Sequence, residues 1–403
     1  MNLKKLKGII KNSRVLYSPF WLLRSMEGIF YHFLWIFPIN NKRVVFTSYF
    51  GRYYNDQPRA ISDALKANEE AEIVWLVNDP AKYSDEKVSF IKYSSLRGLI
   101  MLATARVWVD NCRKGYWLRK RKGQYYIQTW HAGIGCKQGE KDIEDFLPVN
   151  YRLNAINDSR MADCFIVNSK WCTDLIHKAF WFSGPTYEFG SPRLDSFFSN
   201  NATIDPKDYP NLDLLKFKYI LYGPTFRDDG YLDAYDLDYD KVLKFLENKT
   251  GEKWKFLVRL HPNLSNDESI VQYSENVINA TKYNSLYELL KICSIAITDY
   301  SSWMFDAGVI EKPVFLYASD YERFTSKRGL YFDLTKMPYP FSTTTDELIA
   351  QLAVFDYDSY LHALEKFNKK LGINETGKAS QLTADLISQQ LAKGTEDEST
   401  CNS

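Results

Sequence analysis

Short runs of β-branched and aromatic residues alternate with helix-forming stretches from residue 43 onward. This alternation is typical of parallel strands joined by helices that cover both faces of a sheet. A first series of predicted strands comprises residues 44–48, 73–77, 107–110, 125–129, 164–168 and 186–189. A second series comprises residues 219–222, 256–260, 277–279, 295–298 and 314–317. The pattern predicts an α/β protein with two doubly wound, Rossmann-like lobes.

A polar stretch at residues 200–210 separates the two series and is predicted to be a linker. The length of 403 residues also favours two domains, because one hydrophobic core usually stops growing at roughly 250–300 residues. We predict an N-terminal lobe at residues 43–200 and a C-terminal lobe at residues 211–392. The polar residues 393–403 are predicted to form a disordered tail.

Residues 1–42 are basic at first and then rich in aromatic residues. Their longest uncharged run, residues 28–41, is shorter than the roughly 20 apolar residues that span a bilayer. Basic residues followed by Trp and Phe are typical of a helix lying among the headgroups of an anionic leaflet. We therefore predict a membrane-surface segment, and the alternative is a helix packed on the protein's own lobe. The basic residues are Lys4, Lys5, Lys7, Lys11 and Arg14.

Composition and motif absences narrow the possible partners and chemistry. With 51 Lys and Arg against 50 Asp and Glu, the chain lacks the positive field that favours nucleic acid, which we exclude as a partner. The six cysteines lack the spacing of a zinc site, so no metal site is predicted, and the participation of a divalent cation is left open. No P-loop, dinucleotide-binding fingerprint, nucleophile elbow or H-E-x-x-H motif is present, and no cofactor is identified.

Polar residues follow the predicted strands of the first lobe, where ligands of open parallel sheets bind. The loop after residues 44–48 contains Gly51 and Asn55. It either presents backbone N–H groups to a phosphate or is only a turn before a helix at residues 60–66.

A histidine follows the fourth predicted strand. His131 lies just after residues 125–129 and precedes Gly133 and Lys137. This order places a titratable base beside a loop that can approach an anionic group closely. We predict that His131 is a catalytic base.

The strand ends of the second lobe carry cations and hydroxyl groups. An arginine offers a planar fork of donors that suits phosphate oxygens. The alternative for Arg227 is an ion pair with Asp228 or Asp229. The predicted donor-binding or catalytic residues at the ends of the first two strands are Pro224, Thr225, Arg227, Arg259 and His261.

Asp299, Ser301 and Ser302 follow the strand at residues 295–298 and precede a predicted helix. Free N–H groups, two hydroxyls and the positive end of a helix dipole would then share one place. We predict a phosphate-binding site there, and the alternative is an ordinary serine N-cap.

These segments, in this order, resemble the CDP-glycerol glycerophosphotransferase family of teichoic-acid and capsule biosynthesis. The resemblance covers about residues 43–335. The matching segments are Val44-Val45-Phe46-Thr47-Ser48, Asn55-Asp56-Gln57-Pro58, Gln128-Thr129-Trp130-His131, Gly190-Ser191-Pro192-Arg193-Leu194-Asp195, Gly223-Pro224-Thr225-Phe226-Arg227, Arg259-Leu260-His261-Pro262 and Thr298-Asp299-Tyr300-Ser301-Ser302.

From the membrane-surface segment we expect a peripheral location on the cytoplasmic face of the cell membrane. The resemblance implies a GT-B-like fold with a cleft between the lobes. It implies a CDP-glycerol or related CDP-alditol donor on the second lobe and a polyprenyl-diphosphate-linked glycan acceptor, near which Arg193 is expected. Ala132-Gly133-Ile134 stands where the family commonly has Gly-Thr-Pro, and Phe226 stands where it often has Trp. Leu194 replaces the usual Asn. These differences bear on the identity of the substrates.

The mechanism implied is attack by an acceptor hydroxyl, deprotonated by His131, on the distal phosphorus of the donor, with release of CMP. His261 would assist at the diphosphate. One alternative is a GT-B glycosyltransferase that uses a nucleotide sugar in surface polysaccharide synthesis. Another is a non-catalytic capsule-assembly scaffold that retains the donor fold.

Overall fold

The structure is a computed structural model that describes residues 18–199, 204, 206, 209, 211–227, 230–261, 264, 270–283, 285–327 and 329–401. The chain divides into two compact units. The first unit comprises Met1–His131, Gly139–Asp195 and Asn374–Ser403. The second unit comprises Ala132–Gln138 and Ser196–Ile373.

Thirteen strands and thirteen α-helices lie in the described residues. The strands are β1 Asn40–Thr47, β2 Glu72–Val77, β3 Val88–Lys92, β4 Ala105–Asp110, β5 Tyr125–Gln128, β6 Cys164–Ile166, β7 Thr186–Tyr187, β8 Lys218–Tyr222, β9 Trp254–Val258, β10 Val277–Asn279, β11 Ile295–Thr298, β12 Val314–Tyr317 and β13 Phe341–Ser342. The helices are α1 Ser18–Phe33, α2 Asp56–Leu65, α3 Leu96–Thr104, α4 Val149–Met161, α5 Lys170–Ala179, α6 Asp195–Phe198, α7 Tyr239–Thr250, α8 Leu286–Ile292, α9 Trp303–Val309, α10 Tyr321–Lys327, α11 Thr345–Val354, α12 Tyr357–Leu371 and α13 Ala379–Cys401.

The first unit contains a parallel sheet in the order β3-β2-β1-β4-β5-β6-β7. Its central strands are apolar because both faces are covered. Val44 and Phe46 point into a core that includes Ile387 of α13, whereas Val45 lies in a core with Leu102 of α3. The strand order reverses direction between β1 and β4, where a ligand crevice is expected.

The second unit contains a parallel sheet in the order β10-β9-β8-β11-β12-β13. Ile220 and Tyr222 of β8 pack in a core with Val242 and Leu246 of α7. The strand order reverses between β8 and β11, so the loops after these two strands flank the expected crevice. The prediction of two doubly wound, parallel-sheet lobes is confirmed.

The eleven predicted strands coincide with observed strands, with small differences at the ends. Two observed strands, β3 and β13, were not predicted. β3 alternates buried and more exposed positions at the edge of its sheet, and β13 has two residues, so neither gives a long apolar run. Helix α2 begins at Asp56, four residues before the predicted start, and Pro58 lies in its first turn as expected.

The C-terminal segment differs from the predicted domain boundaries. Residues from Asn374 onward belong to the first unit, whereas they were assigned partly to the second lobe and partly to a disordered tail. Helix α13 runs to Cys401, because its apolar side buries Ile387 and Leu391 in the first unit's core. The predicted linker at residues 200–210 lies mostly outside the described residues.

Helix α1 and the short turn after it bury one side and expose the other. Tyr31 and Leu34 are buried, and the Tyr31 ring lies 6.0 Å from that of Trp117. A Cβ atom at Gly28 would lie 3.1 Å from the Trp117 carbonyl oxygen, so only glycine fits there without a shift. The opposite side carries exposed apolar residues, which are Met26, Ile29, Phe30, Phe33, Ile36 and Phe37. The predicted basic residues before this helix lie outside the described residues.

No helix among the described residues is both long enough and apolar enough to cross a membrane.

The attachment of α13 to the first unit can be tested by substitution. Ile387→Ala removes a fully buried side chain and is expected to lower the free energy of unfolding by about 2–5 kcal/mol, measured by urea denaturation. Leu382→Ala on the same helix is the control, because Leu382 is 38% exposed and should cost much less. Equal effects of the two substitutions would show that α13 does not pack as described.

Candidate active site

His131 lies three residues beyond the end of β5, and its side chain is held by the loop that follows β4. Its Nδ1 atom lies 3.1 Å from the backbone carbonyl oxygen of Asn111. Because a carbonyl can only accept a hydrogen bond, Nδ1 carries the proton. The Nε2 atom of the neutral ring is then unprotonated and can accept a proton.

Protein atoms surround the His131 ring on several sides, although the residue keeps contact with solvent. The Trp130 ring centroid lies 4.5 Å away and that of Tyr49 lies 6.2 Å away. This partial loss of hydration lowers the pKa of His131, while the Asn111 carbonyl and the charge of Asp56 oppose the lowering. The neutral form, which a general base requires, is therefore favoured near neutral pH.

Asn111 is itself fixed by its side chain. Its Oδ1 atom accepts a hydrogen bond of 2.9 Å from the backbone N–H of Tyr49. Its Nδ2 atom donates to Ser48 Oγ and to Asp56 Oδ2, at 3.2 Å each. The carbonyl that orients His131 therefore belongs to a residue with little freedom to move.

Arg193, predicted to lie near the acceptor, supports the same cluster. Its Nη1 atom lies 3.1 Å from Asp56 Oδ1 and donates to the backbone carbonyl of His131 at 3.0 Å. The side chains of Arg193 and Asp56 are both almost fully buried. These contacts indicate a positioning role for Arg193, and its predicted contact with the acceptor stays a prediction.

Backbone strain concentrates around His131. Five non-glycine residues have a positive φ angle in the described part of the chain, and four of them belong to this cluster. Such conformations cost about 1–3 kcal/mol each and persist where the surrounding contacts impose them. The four residues are Tyr49 (φ 46°), Phe50 (φ 59°), Asp56 (φ 63°) and Trp130 (φ 52°).

The loop with Gly51 and Asn55 is a turn rather than an open phosphate cradle. The N–H of Gly51 donates to the Ser48 carbonyl at 2.9 Å, and its carbonyl accepts from Asn78 at 2.6 Å. Gly51 has a φ of 77°, and a Cβ there would lie 2.8 Å from Tyr93 Cβ. Asn55 is buried and its Oδ1 accepts a hydrogen bond from Ser48 Oγ. Of the two alternatives given by the sequence, the structure favours the turn.

Gly133 and Lys137 follow His131 in sequence but belong to the second unit. Within that unit, the carbonyl of Cys136 accepts a hydrogen bond of 2.8 Å from Tyr331. The Nζ atom of Lys137 lies 5.8 Å from the Phe324 ring centroid. The predicted N-terminal lobe had included both residues, so this boundary was wrong.

Asp299 organises the candidate donor site of the second unit. Its carboxylate accepts hydrogen bonds from the backbone N–H groups of Thr225, at 2.8 and 3.0 Å, and of Tyr300, at 2.6 Å. It thereby joins the loop after β8 to the loop after β11. Pro224, which precedes Thr225 in the first of these loops, is buried.

Arg227 is engaged by two buried carboxylates. Its Nη2 atom lies 2.9 Å from Asp299 Oδ2, and its Nε atom lies 2.7 Å from Asp320 Oδ2. Burial opposes the charged form, but the hydrogen bonds to Asp320 and the charge of Asp299 raise the pKa of Arg227. These contacts indicate that Arg227 shapes the loop, in place of the direct phosphate contact that the sequence suggested. The predicted alternative partners, Asp228 and Asp229, lie outside the described residues.

Arg259 also holds backbone. Its Nη1 atom donates to the carbonyls of Ala280, at 3.2 Å, and Tyr283, at 2.6 Å.

His261, two residues after Arg259, is exposed and stacks on Phe226 with a centroid distance of 5.3 Å. His261 is therefore presented to solvent, as a ligand-binding residue must be, whereas Pro262 and Asn263 lie outside the described residues.

Ser301 and Ser302 lie immediately before α9 and are partly exposed. Ser302 occupies the N-cap position without a side-chain capping bond. An ordinary serine N-cap, which was the alternative to phosphate binding, would accept a backbone N–H of the first helical turn with its hydroxyl, and Ser302 does not. Both hydroxyls lack an intramolecular hydrogen bond among the described contacts, so ligand oxygens can engage them.

Sequence reasoning missed several residues of these clusters. Asn111 directly follows β4 and Asp320 lies three residues after β12, so the strand-end rule points to both when it is applied to every strand. Asp56 and Trp130 lie in the matching segments given above, but their structural role could not be identified from the sequence, because it depends on a left-handed backbone that ordinary residues rarely adopt.

Among the described residues, no group of three or more His, Cys, Asp and Glu side chains is arranged to hold a metal ion.

The chain matches known proteins over most of its length. The family model of CDP-glycerol:poly(glycerophosphate) glycerophosphotransferase matches residues 29–389. The chain is 29% identical to a teichoic acid poly(glycerol phosphate) polymerase of Bacillus spizizenii, over 84% of this chain and 89% of that protein. It is 27% identical to a teichoic acid glycerol-phosphate transferase of Staphylococcus aureus, over 95% of this chain and 98% of that protein.

The structure is also similar to that of the wall teichoic acid polymerase TagF, with a TM-score of 0.79 and 26% sequence identity. This similarity covers 97% of the present chain and 99% of the TagF chain. The matched region includes both strand-end clusters, and the family resemblance predicted from their motifs is confirmed. The chain therefore belongs to the CDP-glycerol:poly(glycerophosphate) glycerophosphotransferase family and is a phosphotransferase enzyme of teichoic acid biosynthesis.

Proposed function

We propose that this enzyme transfers glycerol phosphate, or a related alditol phosphate, from a CDP-linked donor to a hydroxyl of a lipid-linked teichoic-acid or capsule-type acceptor. The reaction releases CMP, and His131 is its general base. The observation that carries the base assignment is the contact between His131 Nδ1 and the Asn111 carbonyl, because it leaves Nε2 as a proton acceptor.

In the proposed reaction, the acceptor hydroxyl oxygen forms a bond to the phosphorus that bears the glycerol. The bond from that phosphorus to the bridging oxygen breaks, and its electron pair leaves with CMP. The hydroxyl proton passes to Nε2 of His131 and then to solvent. In phosphoryl transfer the protein contributes mainly positioning and stabilisation of charge, and the fixed Asn111 carbonyl supplies the positioning of the base.

The second unit supplies the proposed donor-binding groups. The hydroxyls of Ser301 and Ser302 are available to diphosphate oxygens, and the ring of His261 in the same unit is exposed to solvent. Asp299 and Arg227 hold the two loops that carry these groups. The proposal therefore assigns direct donor contact to the serines and His261, and a supporting role to Arg227.

We also propose that the enzyme is peripheral and docks on the cytoplasmic face of an anionic membrane, which would bring it to a polyprenyl-linked acceptor. The exposed apolar side of α1 and of the short turn after it supports this, since Phe33 and Ile36 are 71% and 83% exposed. Cations flank that surface: Arg121 donates to the carbonyls of Trp35 and Phe37 at 3.1 and 2.9 Å, and Lys122 is exposed next to it. Apolar side chains beside basic ones fit an anionic leaflet.

The base assignment predicts the effect of His131→Ala. CMP release from CDP-glycerol with a short lipid-linked acceptor should fall roughly 100-fold or more in kcat, because proton transfer loses its acceptor. Donor affinity, measured by calorimetry, should stay close to that of the parent enzyme. His177→Ala is the control, since this histidine of α5 is exposed and its contacts are with the nearby Gly184 carbonyl and the Phe182 ring.

Release of CMP by His131→Ala at the parent rate would refute the base assignment.

The glycosyltransferase alternative is tested with the same purified enzyme and a panel of nucleotide sugars. Nucleoside diphosphate release from one of these, without CMP release from any CDP-alditol, would replace the proposed function. If neither the parent enzyme nor any variant released CMP, the alternative of a non-catalytic capsule-assembly scaffold would be favoured.

The pH dependence of kcat/KM should show the lowered pKa of His131. A base that titrates below its ordinary value stays neutral to lower pH, so the acid limb should have its midpoint below about 6.5. Asp56→Asn removes a negative charge that favours the imidazolium, and leaves the opposing charge of Arg193 in place. The midpoint should therefore move to still lower pH, and a shift to higher pH would contradict the described electrostatics. Asparagine tolerates the left-handed backbone of this position.

The membrane proposal predicts that Phe33→Ser combined with Ile36→Ser weakens binding to anionic vesicles by about tenfold or more. Each substitution removes apolar area whose burial stabilises by about 1.5–3 kcal/mol. Sedimentation with phosphatidylglycerol vesicles measures the effect. Val354→Ser, at a 77% exposed position of the second unit, is the control and should not change binding. Equal binding by the double variant and the parent would refute this surface as the docking site.

A further inference from the structure

Trp130 occupies an unusual position immediately before His131. Its φ angle of 52° lies in the left-handed region, which costs a bulky residue free energy. Its ring lies 4.5 Å from the His131 ring at an angle of 34°. Whatever holds Trp130 in this conformation therefore also determines where the His131 ring lies.

The ring of Trp130 is held by Arg113 and Phe180. The guanidinium carbon of Arg113 lies 4.9 Å from the Trp130 ring centroid, and the Phe180 ring meets the Trp130 ring edge-on at 5.0 Å. Arg113 is itself buried and fixed by Asp158 at 3.1 Å and by Ser159 Oγ at 2.8 Å, and it also pairs with Glu140. A cation fixed so firmly is a rigid support for the indole face.

The backbone of Trp130 is held by a second chain of contacts. Its N–H donates to Gln128 Oε1 at 2.9 Å, and Gln128 Nε2 donates to the Tyr126 hydroxyl at 2.8 Å. The Tyr126 hydroxyl in turn donates to Asp158 Oδ1 at 3.0 Å.

Both chains of contacts end on one carboxylate. Asp158 is fully buried; its Oδ2 holds Arg113, and its Oδ1 holds Tyr126. Its Oδ1 also accepts the backbone N–H of Lys114 at 2.8 Å. A buried carboxylate with several donors is a costly arrangement that stabilises only when every partner is in place. The cluster therefore tolerates little displacement of Trp130.

We propose that Arg113, Tyr126, Gln128 and Asp158, which we name the Trp130 bracket, are positioning residues that hold Trp130 and thereby aim the His131 ring at the acceptor hydroxyl. This inference rests on the proposed role of His131 as the base. The bracket touches no substrate, and it acts on the rate through the orientation of His131. Displacement of a catalytic group by about 1 Å can cost roughly 100-fold in rate.

Tyr126→Phe tests the bracket with a minimal change. It removes the hydroxyl that joins Gln128 to Asp158 and keeps the ring in the core. We expect kcat for CMP release from CDP-glycerol to fall about tenfold or more, with KM for CDP-glycerol unchanged. The control is Tyr151→Phe, which removes a tyrosine hydroxyl that donates to Glu140 of the same charge cluster at 2.6 Å but has no bond to Gln128. This control should retain the parent kcat.

A double variant separates positioning of His131 from general stability. If Tyr126 acts through His131, then Tyr126→Phe should add no further loss to the residual rate of His131→Ala. Arg113→Lys, which keeps the charge but loses the planar fork, should behave in the same way. Thermal unfolding of each variant shows whether the protein is folded at the assay temperature.

The inference would be overturned by a parent-like kcat in folded Tyr126→Phe and Arg113→Lys, or by an equal further loss in the His131→Ala background. Equal losses in Tyr126→Phe and Tyr151→Phe would also overturn it, because they would show a general effect of the charge cluster. A parent-like rate in His131→Ala itself would instead refute the proposed base. The positioning role of the Trp130 bracket, which depends on that base, would then be refuted as well.

Discussion

Buried carboxylates paired with buried arginines determine how the strand-end loops of this enzyme are arranged. Removing a charge from water costs several kcal/mol unless a partner and further hydrogen bonds compensate it. Asp56 with Arg193 and Asp158 with Arg113 satisfy this requirement in the first unit, and Asp299 with Arg227 satisfies it in the second. Separating the two partners would leave a buried charge without compensation. Each pair therefore holds the loops that carry it in a single arrangement. Without such pairs, the loops that follow the strands of a parallel sheet are usually its most mobile parts.

The two units use this constraint differently. In the first, the carboxylate of Asp56 binds the side chain of Asn111, so that the carbonyl of Asn111 is fixed opposite Nδ1 of the His131 ring. In the second, Asp299 binds backbone N–H groups and leaves the hydroxyls of Ser301 and Ser302 exposed. One cluster thus selects the tautomer of His131, the proposed base, and the other leaves the hydroxyls that are proposed to bind the donor exposed. Both arrangements suit a reaction in which positioning accounts for most of the catalysis.

The amino-acid sequence was sufficient for the architecture and for the location of the candidate groups. Apolar runs identify the central strands because both faces of a parallel sheet are buried, and the strand-end rule identifies His131, Asp299 and the serines. The sequence alone could not distinguish an arginine that binds a ligand from one that supports a loop. Arg227 pairs with Asp320, which is 93 residues away in sequence, and no local pattern reveals such a partner. The left-handed backbone of Trp130 is likewise a product of distant contacts, since a tryptophan has no intrinsic preference for it.

Helix α13 has a consequence for how the protein is made. Its residues Ile387 and Leu391 complete the core behind β1, yet the whole second unit, Ser196–Ile373, precedes this helix in the chain. A ribosome synthesises the β1 strand more than three hundred residues before the helix that covers it. During that interval Ile61 and Leu65 of α2 can already pack in this core, but the part that α13 covers stays exposed while the second unit is synthesised. The first unit can therefore close only after α13 has emerged from the ribosome, and exposed apolar surface is prone to aggregation until then.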